Sequence, residues 1–302
     1  MRKNTALWTG GFFLFLLILV AAFGSSFSYV KEGLEGKRLI FPEAGGIVSA
    51  PFPPSADFPL GSDHEGRNMV SLLVMGAKDT LLLIFLITSI RYVVGVVLGA
   101  IASLGGRVIS NFLNVWDQIF SSMPVIFFAI LAFNLPLLIY AENRFWIVIF
   151  SIALVEVGRV GVTIRDQLIL VKNKPYVDAA RTVGLSNFGI AKNHFLPTLL
   201  PTLLPTMLVN FCFDIGRVAL IIGQLGIFSI FITMQFVEVP PGGMYDLVNT
   251  SFNWPTILGD ARKDIYTAVW IPAAAAFAIM YVILTFNILG EGLRRHFSRF
   301  GM

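Results

Sequence analysis

Six stretches of this chain are apolar for close to the twenty or so residues that a helix needs to cross the hydrocarbon core of a bilayer. They run from about Ala6 to Phe23, Leu81 to Leu104, Phe112 to Leu138, Phe145 to Ile164, Leu199 to Ile222 and Tyr266 to Leu289. Hydrocarbon offers no partner to a backbone N–H or C=O, so stretches of this kind must satisfy their own hydrogen bonds, and they are predicted to be helices. The composition agrees. Of 302 residues 56% are hydrophobic and 13% charged, against about a quarter charged in a water-soluble chain, and the mean hydropathy is +0.78. The 28 Phe and the long apolar runs exclude disorder. The single Cys212 excludes a disulfide scaffold or a Cys-rich metal site, and His64, His194 and His296 are too scattered to form one. The expected fold class is an all-α membrane protein with about six transmembrane helices, embedded in a lipid bilayer.

Charge sets the orientation. With both termini inside, the cytoplasmic segments hold Arg2, Lys3, Arg107, Arg165, Lys172, Lys174, Arg181, Lys192, Arg294, Arg295 and Arg299 against only Asp166, Asp178 and Glu291. The outer segments hold eight bases against twelve acids, so the basic excess sits on one side, as the positive-inside rule requires. This accounts for a pI near 9.3 without nucleic acid, whose binding would need the bases gathered on one soluble face. Residues 1–24 form an N-terminal transmembrane anchor, although Ala22-Phe23-Gly24 also has the small residues of a signal-peptide cleavage site. The retained anchor is the favoured reading, because the apolar run is longer than a usual signal core. Residues 25–80 are extracytoplasmic, and residues 81–302 form a core with five further spans. The long outer segments, 25–80 and about 223–264, are broken by Gly45-Gly46, Pro51, Pro53, Pro54 and Pro240-Pro241-Gly242-Gly243, so neither is expected to fold as a domain. No internal repeat is visible.

The longest inner segment, 165–197, contains Lys174-Pro-Tyr-Val-Asp-Ala-Ala-Arg-Thr-Val-Gly184. Pro175 suits a first helical turn, Asp178 lies near the positive end of the helix dipole, and Gly184 is placed to terminate the turn. The spacing predicts a short helix outside the membrane. Ala179 and Ala180 would let another protein approach closely, with Tyr176 and Val183 giving apolar contact. From these residues alone, a plain connecting helix on the membrane surface is the favoured reading.

Three motifs taken together are more specific. Asp178-Ala-Ala, Gly184 and His194-Phe-Leu-Pro197 resemble the EAA loop of permease subunits in ATP-binding-cassette importers, with Asp where Glu is usual. Phe58-Pro-Leu-Gly-Ser-Asp-His-Glu-Gly-Arg67 is similar to the Gly-Thr-Asp-x-x-Gly-Arg element of the dipeptide and oligopeptide subfamily, with Ser62 in place of Thr. Phe286-Asn-Ile-Leu-Gly-Glu-Gly-Leu-Arg294 resembles that subfamily's closing motif, and Trp254 precedes it at a similar distance. The departures are Pro255, where Gly is usual, and Gly223-Gln-Leu-Gly-Ile-Phe-Ser.

The resemblance implies a type I importer permease fold with a cytoplasmic coupling helix, of the kind found in the C subunit of oligopeptide and dipeptide importers. It implies that Tyr176, Asp178, Ala179, Ala180, Gly184, His194 and Pro197 contact an ATPase, and that Gly61, Asp63, Gly66 and Arg67 form an extracytoplasmic motif. Its implied partners are a second permease subunit of the B type, two ATPase subunits that hold ATP and Mg²⁺, and an extracytoplasmic substrate-binding protein. The place implied is the plasma membrane of a bacterial or archaeal cell. No cofactor is expected in this chain, which lacks the G-x-x-x-x-G-K-[ST] loop, and the chain is not expected to be an enzyme. Cargo other than peptides, such as nickel chelates, uses the same scaffold.

Charges at membrane depth are candidates for function, since an unpaired one costs about 2.5–3.5 kcal/mol or more. Here they are Arg91, Asp117, Glu156, Arg159, Asp214 and Arg217. Three acids against three bases permit full pairing. Glu156 with Arg159, and Asp214 with Arg217, are each three apart and can meet on one helix face. Asp117, Glu156, Arg159, Asp214 and Arg217 are candidates for lining a translocation path, with structural pairing as the alternative. Two other function classes compete. A secondary transporter often shows inverted repeats, which are not visible here, and an intramembrane enzyme would need a nucleophile with its base or a metal cluster, for which no motif is present.

Overall fold

The computed structural model describes residues 4–41, 46–105, 107–135, 138, 141, 143–175, 196–239, 244–249 and 251–298. Helix α1 is Thr5–Phe23, and the segment after it, expected to lie outside, contains a one-turn helix, α2 (Ser28–Glu32), and a minimal antiparallel pair of strands, β1 (Leu39–Ile40) and β2 (Val48–Ser49). Four long elements follow: α3 (Met69–Gly105), the pair α4 (Arg107–Ser121) and α5 (Val125–Phe133), the pair α6 (Arg144–Val155) and α7 (Val157–Lys172), and α8 (Leu196–Ile227). An antiparallel hairpin, β3 (Met234–Val239) with β4 (Met244–Asn249), and two short helices, α9 (Trp254–Ile257) and α10 (Ala261–Thr267), lead to α11 (Trp270–Ser298).

Helices α1, α3, α8 and α11 are each long and apolar enough to cross a membrane alone, and the two pairs bring the total to as many as six spans. The two pairs occupy the stretches expected as spans over 112–138 and 145–164, each as a bent helix rather than a straight one. The first is bent by 87° and the second by 42°. Pro124 accounts for the sharper bend: it supplies no N–H, it is extended at ψ 130°, and its ring disfavours helical geometry in the residue before it. The milder bend is at Glu156.

Helix α3 starts at Met69, twelve residues before the span expected from Leu81. At about 1.5 Å per residue it is roughly 55 Å long, well beyond the 30 Å or so of hydrocarbon. Part of it therefore extends beyond that layer if the helix is upright; in its first turns Met69 and Leu72 pack with Ala268 and Ile271. The segment 223–264, not expected to fold as a domain, carries the end of α8, the hairpin, α9 and the start of α10.

Helices approach one another through glycines, as is common where lipid gives no hydrophobic drive and close packing must hold the bundle. A Cβ on Gly95 would lie 2.7 Å from Val160, and one on Gly99 2.5 Å from the carbonyl oxygen of Gly161, so Gly95-x-x-x-Gly99 seats α3 against α7. Gly10 meets the Leu289 backbone and Gly292 meets that of Leu7, which lays α1 along α11. The Asn4 side chain joins the same two helices by donating to the Gly292 carbonyl at 2.7 Å. The main apolar core lies between α3, α6, α8 and α11, with Ile87, Ile149, Ile152, Val218, Ile222 and Val282 almost fully buried.

Candidate functional site

Helices α3, α7 and α8, with Glu156 at the break between α6 and α7, carry five of the six membrane-depth charges, and the fold strings them into one alternating chain. Arg91 of α3 is fully buried and its Nη1 lies 2.6 Å from Glu156 Oε2. That approach is an ion pair whose angle misses hydrogen-bond geometry, while Nη2 donates to the Ile152 carbonyl at 3.3 Å. The same Glu156 oxygen takes a 3.2 Å contact from Arg159 Nη2. Arg159 Nη2 also reaches Asp214 Oδ1 of α8 at 2.6 Å. Arg217 lies at the end of the chain, 3.9 Å from that oxygen.

Helical spacing had suggested two local pairs. Glu156 with Arg159 is present, but the closest partner of Asp214 is Arg159 on another helix rather than Arg217. Arg91, which has no partner near it in sequence, finds one across the bundle. Among the described residues, full pairing of three acids with three bases does not occur. Asp117, on α4, joins no ion pair among the described residues, and the linked group has three arginines against two carboxylates.

Beside the Asp214 end is a cavity of about 190 Å³. Its polar lining includes Arg159, Thr163, Gln167, Asn210, Asp214 and Arg217, with Tyr92 and Phe213 among its aromatic walls. Tyr92 is mostly buried and packs edge-on to Phe211 at 5.1 Å between ring centres. Both carboxylates of the charged chain are largely buried, with 18% of the Glu156 side chain and 4% of that of Asp214 exposed, whereas 53% of the Arg217 side chain is exposed. Asp117 and Glu156 do not line this cavity.

Helix α7 leads into the segment that carries the expected ATPase contact, and α8 leads out of it. Tyr176, Asp178, Ala179, Ala180, Gly184 and His194 lie outside the described residues, and so does the side chain of Pro197, whose backbone is in the first turn of α8. Just before this segment, Arg165 ties α7 to α4. Its Nη1 donates to the Ser110 carbonyl at 3.1 Å, to Ser110 Oγ at 2.9 Å and to Asn114 Oδ1 at 2.7 Å, while Asp166 accepts from its Nε and Nη2. In the sequence Arg165 is one more inner-side base, and no local signal marks this role.

The outer motif at 61–67 is a compact loop. Gly61 and Gly66 have φ of +78° and +76°, which side chains rarely adopt. A Cβ at Gly61 would also strike the Trp270 ring, and one at Gly66 the Lys37 carbonyl. Asp63 accepts from the backbone N–H groups of Glu65 and Arg67 at 2.9 and 2.8 Å and pairs with the Arg67 guanidinium at 2.7 Å. His64, which the sequence marks only as a polar loop residue, contacts Asp264 of α10 at 2.7 Å. Trp270 Nε1 donates to the Ser62 carbonyl. The motif residues thus brace the loop against α10 and α11, and they border an outer cleft of about 690 Å³ that also meets Ser229, Phe252 and Asp260.

Residues 95–300 match the family of binding-protein-dependent transport system inner membrane components. The chain belongs to this family. As an inner membrane component of such a system, with several apolar helices, it is a multi-pass membrane protein. It is 28% identical over 243 residues to the dipeptide transport system permease protein DppC of Alkalihalophilus pseudofirmus, covering 80% of this chain and 71% of the relative. It is 25% identical over 234 residues to the oligopeptide transport system permease protein OppC of Haemophilus influenzae, covering 78% and 68%. It is 29% identical over 242 residues to the peptide transport system permease protein SapC of Escherichia coli O6:H1, covering 79% and 72%. The matched region includes the whole charged chain from Glu156 to Arg217 except Arg91, together with the inner segment and the closing motif.

Proposed function

We propose that this inner membrane component is one of two unlike permease subunits of an ATP-binding-cassette importer for dipeptides or oligopeptides, and that it forms half of the translocation path. Peptide cargo is the reading favoured by the relatives, whose names are those of dipeptide, oligopeptide and peptide permeases. The observation that carries the mechanism is geometric. The two helices that hold the Arg159–Asp214 contact, α7 and α8, are the two that the inner segment joins. A pull on that segment is transmitted directly to both walls of the polar cavity.

In this reading residues 1–24 anchor the chain and residues 25–80, with the first turns of α3, stand outside. The core 81–302 is entered from the outer face when a receptor docks there and from the inner face after the walls move. Both termini are cytoplasmic, as the distribution of bases favours. ATP and Mg²⁺ are held by two ATPase subunits seated on Tyr176 to Gly184, and this chain performs no chemistry. Alternating access follows from two inner segments, one per permease, drawn together and released as nucleotide is bound and hydrolysed.

The test is uptake of labelled peptide into proteoliposomes holding this chain, its partner permease, both ATPases and the receptor. Uptake should require ATP, cease when the ATPase is inactivated, and persist when ion gradients are collapsed. Ion-driven uptake that survives an inactive ATPase would show a secondary transporter instead.

A further inference from the structure

The chain Arg91–Glu156–Arg159–Asp214–Arg217 has alternating signs and begins and ends on a cation. Both carboxylates are used inside it, so among the described residues one positive charge remains, and geometry decides which arginine bears it. Arg91 is sealed in the protein against Glu156, and Arg159 is shared between Glu156 and Asp214. Arg217 makes no hydrogen bond among the described residues; its one ion-pair contact, at 3.9 Å, is to an oxygen already held by Arg159 at 2.6 Å. It is the most exposed of the five side chains and lines the cavity, with Asn210 and Gln167 also on the wall. A surplus cation on the wall of a cavity at membrane depth favours an anion beside it, because low polarity strengthens the attraction and an unpaired charge there is costly.

We propose that Arg217 is a cargo-contacting residue that binds a carboxylate, and that the group it receives during transport is the C-terminal carboxylate of a peptide. The inference rests on the peptide-importer reading for the identity of the carboxylate, though not for its chemistry. Guanidinium matches a carboxylate in shape as well as charge, with two parallel N–H donors for two oxygens. Asn210 and Gln167 offer amide groups that can pair with the peptide backbone. Asp214, held at 2.6 Å by Arg159, keeps Arg217 on the wall without neutralising it.

Two measurements test this on the assembled complex of both permeases and both ATPases. In the first, proteoliposomes import labelled trialanine delivered by the same receptor to the parent, Arg217→Lys and Arg217→Gln. Gln should lower the maximal rate roughly ten- to a hundredfold, the range for a lost charge-assisted hydrogen bond, while Lys should recover much of it. In the second, which needs no transport, the melting temperature of the purified complex is followed in acetate and in its neutral isostere acetamide at equal ionic strength. Acetate should raise it by about 2 °C in the parent, an ordinary size for a weakly bound ligand in excess, and not in Arg217→Gln.

Parental import by Arg217→Gln would overturn the proposal, as would equal losses for Lys and Gln, or equal responses to acetate and acetamide. Loss of the second permease on purification of Arg217→Gln would also overturn it, because Arg217 would then be pairing with an acid of that subunit. If the parent responds to acetate but imports no peptide, the carboxylate site stands and the peptide reading falls.

Discussion

Glu156 is where the charge network and the bend between α6 and α7 coincide, and its carboxylate holds arginines from two helices. Arg91 depends on it most, since it is fully buried and its only other described partner is the Ile152 carbonyl. Removing one member of a buried pair leaves the other uncompensated, at a cost of about 3–5 kcal/mol. Glu156→Gln should therefore lower the melting temperature of the purified protein by about 6 °C or more. The double change Arg91→Met with Glu156→Gln removes both charges at similar volume and should recover more than half of that loss, as expected for coupled neighbours. A double variant no more stable than the single one would show that the two side chains do not support each other. The residues of this network were all legible as membrane-depth charges, but their partners were not. Spacing along one helix finds Glu156 with Arg159, whereas the contacts Arg91–Glu156 and Arg159–Asp214 are made across the bundle, at separations no local period encodes.

Among the elements, the six apolar stretches were legible because crossing a bilayer sets a minimum length, and each corresponds to a helix or a bent pair. Their interruptions were less so. A proline such as Pro124 can kink or end a span by its chemistry alone, while the break at Glu156 has no proline to announce it and the extension of α3 before Leu81 depends on packing with Ala268 and Ile271. The hairpin of β3 and β4 was hidden by its position beside Pro240-Pro241-Gly242-Gly243, which reads as a break rather than as the connection between strands. Helix contacts are legible only where glycine spacing is noticed, and even then a single glycine does not say which neighbour it admits. Gly10 and Gly11 illustrate the difference. A methyl group at Gly10 would meet the backbone of Leu289 at 2.7 Å, whereas one at Gly11 meets nothing within 4 Å. Gly10→Ala should push α1 away from α11 and lower thermal stability, although alanine favours helix by about 1 kcal/mol over glycine. Gly11→Ala, with the same propensity gain and no obstruction, should be neutral or slightly stabilising. Equal effects in a melting experiment would place the α1–α11 contact elsewhere.

On the scale of the whole molecule, the proposed function makes the segment between α7 and α8 the link between a soluble motor and a cavity inside the membrane. Arg165, bonded to Ser110 and Asn114, fastens the lower part of α7 to α4, so a force applied below Lys172 moves two elements together rather than bending α7 alone. From there it reaches Arg159 and, through the 2.6 Å contact, Asp214 on α8. Such a relay delivers work only if the segment seats firmly on the ATPase, which in the proposed function falls to Tyr176 to Gly184. Gly184 stands where the short helix is expected to end, and a bulky side chain there should spoil the seating without disturbing the distant outer loop or the bundle. Gly184→Leu is accordingly expected to assemble with its partners at the parental yield and to retain basal ATP hydrolysis. Stimulation of that hydrolysis by peptide-loaded receptor should vanish, and peptide uptake should fall roughly tenfold or more, the size of an ordinary coupling free energy between two sites. Reconstituted complexes measured for both quantities distinguish this from simple damage, which would lower assembly and basal hydrolysis too. If stimulation and uptake are both unchanged, the force enters the permease elsewhere, and the assignment of the inner segment as the coupling element is wrong.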